Sequence, residues 1–129
     1  LRGTDAHTVM IGQRAPKQTE RQKRDAYAAV TERDGGRCQR CGRAGPVERD
    51  HRQGRDAYNT VPSNLQCLCR DCHAFKTHFP EWAMRDGFSV SRWADPATTP
   101  AYRYGVGWVI YHDEPDNNGN WWHTVTAPD

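Results

Sequence analysis

Four cysteines in two pairs constrain this 129-residue chain more than any other feature: Cys38-x2-Cys41 in "CQRCG" and Cys69-x2-Cys72 in "CRDC", with 27 residues between the pairs. Each CxxC turn can aim two thiolates at one ion, and two such turns complete a closed tetrahedron around Zn²⁺. A closed site leaves no position open for substrate, so its expected role is to hold the fold together. The chain needs such a staple. Only 36% of it is hydrophobic and its mean hydropathy is −1.00, and a small domain with a thin core requires a metal or a disulfide. The paired spacing favours metal over disulfides, and with no secretory apolar segment in view it favours a reducing compartment. No apolar run approaches the ~20 residues of a membrane span. The fifth cysteine, Cys67, alternates with Leu68 and is expected to be buried as a small hydrophobe.

Around this frame the pattern predicts an α+β fold in three parts: a flexible arm over 1–18, a core over 19–79 and a C-terminal appendage over 80–129. Residues 1–16 lack periodicity. Thr19 can cap a helix over 20–33 that places Tyr27 and Val30 inward, and Gly35 and Gly36 stop it. "PVERDH" and "NTVPSNLQCL" read as two short strands joined by the loop "RQGRDAY". A second helix is expected over 70–79, ended by Pro80. Beyond Pro80, "PEWAMRDG" suggests a short helix and "GWVIYHDEPDNNGNWWHTVT" a β-hairpin around a turn rich in Asp, Asn and Gly. Four of the five tryptophans lie between positions 93 and 122, where they supply area that the aliphatics do not. Charge follows the same division. Residues 13–55 carry twelve Arg and Lys against six Asp and Glu, whereas residues 80–129 carry three against seven. The basic half suggests a polyanionic partner.

Several polar residues remain once the cysteines are assigned. Asp50 and His51 end the first strand candidate, Asn64 lies in the second and His73 follows Cys72, giving Asp-His-x12-Asn-x8-His interlocked with the cysteines. In "RDGGRCQRCG", "ERDH", "NLQCLC" and "RDCHAFKT" the chain resembles the HNH endonucleases, the ββα-metal nucleases whose zinc-stapled members carry CxxC pairs around the motif. The resemblance spans roughly residues 30–79. More faintly, "WADPATTP" and the Trp-bearing hairpin are similar to the tails of phage-encoded HNH proteins. It implies a zinc-stapled ββα-metal fold with an N-terminal helix and an appended hairpin. It also implies a DNA endonuclease acting in the cytoplasm of a bacterial or phage-infected host cell.

Hydrolysis of a phosphodiester needs a nucleophilic water, neutralised phosphate charge and help for the leaving 3′ oxygen. His51 is the candidate general base, because an imidazole titrates near neutral pH. Asp50 and His73 are candidate ligands of one divalent cation, and their mixed oxygen and nitrogen donors admit Mg²⁺, Mn²⁺, Ni²⁺ or Zn²⁺. By analogy with the family, Asn64 orients His51 or the hairpin loop. Arg49, Arg52, Arg55 and Lys76 flank the motif and are expected to grip DNA backbone phosphates, making binding salt-dependent. His78 is expected to meet phosphate or solvent rather than metal. A non-catalytic zinc-stapled module that docks DNA through the same basic face is the alternative. It needs the cysteines but not Asp50, His51 and His73 together.

Overall fold

The computed structural model describes residues 16–129. Most of the predicted N-terminal arm lies outside the described residues. Of its last positions, Gln18 is fixed: its backbone N–H donates to Ala57 O at 3.0 Å and its side-chain amide exchanges hydrogen bonds with the backbone of Thr60.

Helix α1 spans Glu20–Asp34. Thr19 and Gln22 close its first turn reciprocally, each side chain accepting from the other's backbone N–H, and the left-handed Gly35 ends it. Ala26 and Val30 face inward against Leu65 and Cys67. The chain then makes the first cysteine turn, where the Gly42 N–H donates to Cys38 O at 2.9 Å. Gly42 has φ +77, a backbone conformation that favours glycine, and the Tyr104 ring packs directly over it.

Strand β1 (Glu48–His51) pairs antiparallel with β2 (Leu65–Leu68), placing Asp50 opposite Gln66 and His51 opposite Leu65. Strand β2 is shorter than the sequence suggests. Pro62, which has no N–H to give a ladder, opens a 3-10 turn over Pro62–Asn64, and regular pairing begins only at Leu65. Helix α2 (Arg70–His78) follows at once and completes the ββα unit. Helix α3 (Pro80–Arg85) begins after the break at Phe79.

The C-terminal sheet has three strands rather than the two of a simple hairpin: β3 (Ala101–Arg103), β4 (Gly107–Tyr111) and β5 (Trp122–Thr124), in antiparallel order β3-β4-β5. Strand β3 is only three residues long and follows the proline-rich "DPATTP", so it carries no periodic signal of its own. The turn between β4 and β5 folds around Asp116, whose carboxylate accepts from the N–H groups of Asn118 and Asn120 at 2.9 Å.

Residues beyond Pro80 share the core of the ββα unit. Ala83 and Phe88 pack in one cluster with Cys38, Leu68, Cys69 and Cys72. A buried charge junction adds a second tie. Asp34, at the end of α1, accepts from Arg33 at 2.8 Å, from Arg103 of β3 at 2.5 Å and from the Cys67 N–H at 3.0 Å. Burial alone would raise the Asp34 carboxyl, but the charges and hydrogen bonds of Arg33 and Arg103 hold it below its ordinary value.

Candidate metal centres and active site

The two cysteine turns meet. Ligand atoms of Cys38, Cys41, Cys69 and Cys72 all lie within 4.8 Å of one another, and the Cys41 and Cys69 sulfurs stand 3.8 Å apart. Zn–S bonds of about 2.3 Å in a tetrahedron give an S···S edge of about 3.8 Å, so the four thiols fit a zinc-sized metal. Three of them are buried and Cys41 is exposed. Arg40 lies over the Phe75 ring at 3.6 Å and directs a guanidinium N–H at Cys72 Sγ at 3.5 Å, offsetting part of the thiolate charge. Cys67 stands apart from this group. Its side chain is buried beside Ala26, Val30 and Leu65, and burial, with Asp34 nearby, pushes its thiol up to about 12. It stays a neutral thiol, as an apolar core requires.

A second cluster forms where β1 ends against α2. The Asp50 carboxylate is almost enclosed, and its two oxygens have different neighbours. Oδ2 accepts from Lys76 Nζ at 2.6 Å and from Gln66 Nε2 at 3.0 Å. Oδ1 stands 3.2 Å from His73 Nδ1. That approach lacks hydrogen-bond geometry, and His73 Nδ1 is buried with no hydrogen-bond partner among the described residues. Glu48, two residues before Asp50 on the same strand face, brings Oε1 to 3.5 Å from the same nitrogen. An orphaned imidazole nitrogen beside a free carboxylate oxygen is a donor set suited to a divalent cation.

His51 points to the other side of β1, as strand alternation requires. Its Nε2 lies 2.9 Å from Thr60 Oγ1 and its ring meets the edge of Tyr27 at 6.2 Å. Thr60 is held in turn by Gln18. Burial, then the nearby Arg55 charge, pulls the His51 imidazole below its ordinary value, with Asp50 opposing. His51 is thus neutral at pH 7. Asn64 is buried, and its side chain hydrogen-bonds neither to His51 nor to the Asp50 cluster. Its side chain accepts from the Gln53 N–H at 2.8 Å and donates to Asn59 O at 3.0 Å and Gln53 O at 3.2 Å, stapling the 52–59 loop shut.

Two of the four basic residues expected on the DNA face are turned inward. Arg52 is 1% exposed. Its guanidinium donates to the carbonyls of Ser63, Pro96, Thr99 and Pro100 at 2.7–3.3 Å, so it fastens the C-terminal segment and offers nothing to a phosphate. Lys76 is committed to Asp50 Oδ2 and to His51 O at 2.5 Å, because α2 carries it one turn past His73 on the same face. Arg49 and Arg55 are exposed, as is His78. Glu48, Arg49, Asp50, His51, Gly54, Arg55 and His73 line one cavity of about 300 Å³. A larger cleft of about 510 Å³ runs over Arg40, Cys41, Asp86, Phe88, Tyr102 and Trp108. No histidine lines it, whereas His51 and His73 line the smaller one.

Sequence reasoning missed Thr60, Gln66 and Glu48. For Gln66 and Glu48 a signal existed: Glu48 is two residues from Asp50 on one strand, and antiparallel pairing sets Gln66 directly across from it.

A two-stranded antiparallel sheet, a helix across it and a four-thiol group able to hold a metal ion define a small ββα domain, with a histidine-carboxylate cavity at the sheet's end. Residues 38–79, about a third of the chain, match the family model described as HNH endonuclease. No curated protein and no solved structure gives a significant match. Among the described residues no helix is long and apolar enough to cross a membrane.

Proposed function

We propose that the chain is a metal-dependent DNA endonuclease that hydrolyses phosphodiester bonds, with structural Zn²⁺ in the four-cysteine clamp. The observation that carries this reading is the convergence of Asp50 Oδ1 and the unpartnered His73 Nδ1 at 3.2 Å on the wall of the cavity that His51 also lines. Asp50 and His73 would hold one divalent cation, Mg²⁺, Mn²⁺, Ni²⁺ or Zn²⁺, with Glu48 within reach. Such a cation supplies charge neutralisation at the phosphate and at the leaving 3′ oxygen.

His51 provides the base. With Nε2 engaged by the Thr60 hydroxyl, its Nδ1 accepts the proton of a water whose oxygen attacks phosphorus while the bond to the 3′ oxygen breaks. Its depressed proton affinity keeps it unprotonated, hence competent, at neutral pH. Asn64 preserves the loop from which Arg55 projects. Arg49 and Arg55, exposed at the rim, contact backbone phosphates, so the protein reads DNA mainly by charge and groove shape.

Plasmid nicking with Mg²⁺ or Mn²⁺ tests the assignment. Wild type should nick or linearise the plasmid, and His51→Ala should lose about 10²–10⁴-fold in rate with its fold intact. Equal cutting by His51→Ala would refute His51 as the base, whereas no cutting by wild type with any divalent metal would refute the enzyme and leave the non-catalytic DNA-binding module.

A further inference from the structure

Lys76 sits where a simple phosphate contact would not. Its ammonium is bonded to Asp50 Oδ2 and to the backbone oxygen of His51, so one side chain grips both the candidate cation ligand and the residue that carries the base. The bond saturates the inner oxygen of Asp50, together with Gln66, and leaves only Oδ1 facing His73. The charges around the cavity follow from its lining. Glu48 and Asp50 bring two negative charges to the cavity and Arg55 one positive one, Lys76 sets a second positive charge against Asp50 from behind, and the Arg49 guanidinium is held at Thr31 Oγ1 and over the Tyr27 ring. A divalent cation at Oδ1 would share its carboxylate with an ammonium, in a cavity that Arg55 also lines. A phosphodiester would bring negative charge that favours both the cation and the Lys76 ammonium beside it.

We propose that Lys76 is a charge lock: it keeps the Asp50–His73 cation site weak in the DNA-free protein, so that cation and DNA phosphate load together. The inference rests on the nuclease reading for the identity of the cation site, but its physical content is a coupling between two ligands. Coupling of this kind is reciprocal, so Mn²⁺ tightens DNA by the factor by which DNA tightens Mn²⁺. It also makes Lys76 a positioning residue, acting on the cation through Asp50, rather than a contact to DNA.

The test uses the full chain with its cysteine clamp loaded with zinc, and reads Mn²⁺ binding from the electron paramagnetic resonance signal of free Mn²⁺. Without DNA, Lys76→Met should bind Mn²⁺ at least tenfold tighter than wild type. Asp50→Asn should abolish that binding, locating the ion. In a His51→Ala background, which leaves a short duplex uncut, added duplex should tighten Mn²⁺ at least tenfold, and Lys76→Met should erase most of the gain. Unchanged or weaker Mn²⁺ binding in Lys76→Met overturns the lock, as does a duplex that leaves Mn²⁺ affinity untouched. If Lys76→Met does not fold, as judged by circular dichroism and zinc content, Lys76→Gln removes the charge while keeping a donor and decides by the same criteria. Nicking separates the two readings. A wild type that cuts, paired with an unmoved Mn²⁺ affinity, sinks the lock and spares the nuclease. A wild type that never cuts, paired with tighter Mn²⁺ in Lys76→Met, does the reverse.

Discussion

Cys72 and His73 are consecutive residues on α2, yet they belong to two unlike sites. The cysteine clamp is built of four donors of one kind, converging from two turns that the backbone itself shapes, with three of the four buried. The Asp50–His73 cluster has mixed donors, a cavity in front of it and a lysine competing for one of its oxygens. One helical residue step, about 100°, turns the chain from one to the other. The clamp has its full set of ligands from the protein and can only hold structure together. The cluster opens on a cavity, and under the proposed reading that is where a ligand from outside the chain would bind.

The strongest way to break this comparison is to remove one ligand from each site. Cys41→Ser should leave the domain unfolded at 25 °C, because binding of structural zinc contributes on the order of 10 kcal/mol to folding in small zinc domains. Asp50→Asn should leave far-UV circular dichroism and zinc content unchanged. A native spectrum for Cys41→Ser would show that the apolar clusters suffice without the clamp.

A second pair of residues extends the contrast to carboxylates. Asp34 and Asp50 both lie against cations. Asp34 is fully enclosed, and Arg33 and Arg103 complete its shell, whereas Asp50 keeps one oxygen toward the cavity. Asp34→Asn would leave two arginines short of their partner across the junction between α1 and β3. It should cost about 3–5 kcal/mol, the range for breaking one side of a buried pair. Its pH dependence follows from the sign of the shift. Asp34 is held below its ordinary value when folded, so its contribution is complete above the unfolded carboxylate value of ~3.9 and fades as pH falls through the folded one. Urea denaturation with zinc in excess should therefore show a constant gap between wild type and Asp34→Asn from about pH 8 to pH 5, narrowing only below about pH 4. A gap that narrows near neutrality would mean that another group governs the junction.

The sequence makes the frame of both sites legible and leaves their lining obscure, for a physical reason. CxxC turns, the Asp-His step on a strand and the His after Cys72 are local patterns, so they can be picked out before any packing is known. The helix of Glu20–Asp34 was legible from Thr19 and Gly35 in the same way. The partners of Arg52 are carbonyls at positions 63, 96, 99 and 100, in loops with no periodicity, and nothing local distinguishes an arginine destined for them from one destined for DNA. Lys76 reads as basic decoration until α2 is docked on β1. The three-residue strand β3 is too short to show alternation, and its Arg103 reaches Asp34, 69 residues earlier.

Arg52 and Arg55 give the finest version of the contrast between enclosed and open groups. They sit three positions apart in one loop, and composition treats them alike. Arg52 is buried and hydrogen-bonded to four carbonyls, while Arg55 is exposed on the cavity rim. Arg55→Ala should leave the Tm unchanged, weaken DNA binding uniformly across sequences and lower the slope of log K against log salt by about 1. Arg52→Ala should instead lower the Tm, and any loss of DNA affinity should keep the wild-type salt slope, because no phosphate contact has been removed. Fluorescence anisotropy of a labelled duplex over a salt series measures the slopes. A reduced slope for Arg52→Ala with an unchanged Tm would mean that its guanidinium leaves the carbonyls for DNA, and that enclosure in the free protein does not decide the role of an arginine in this loop.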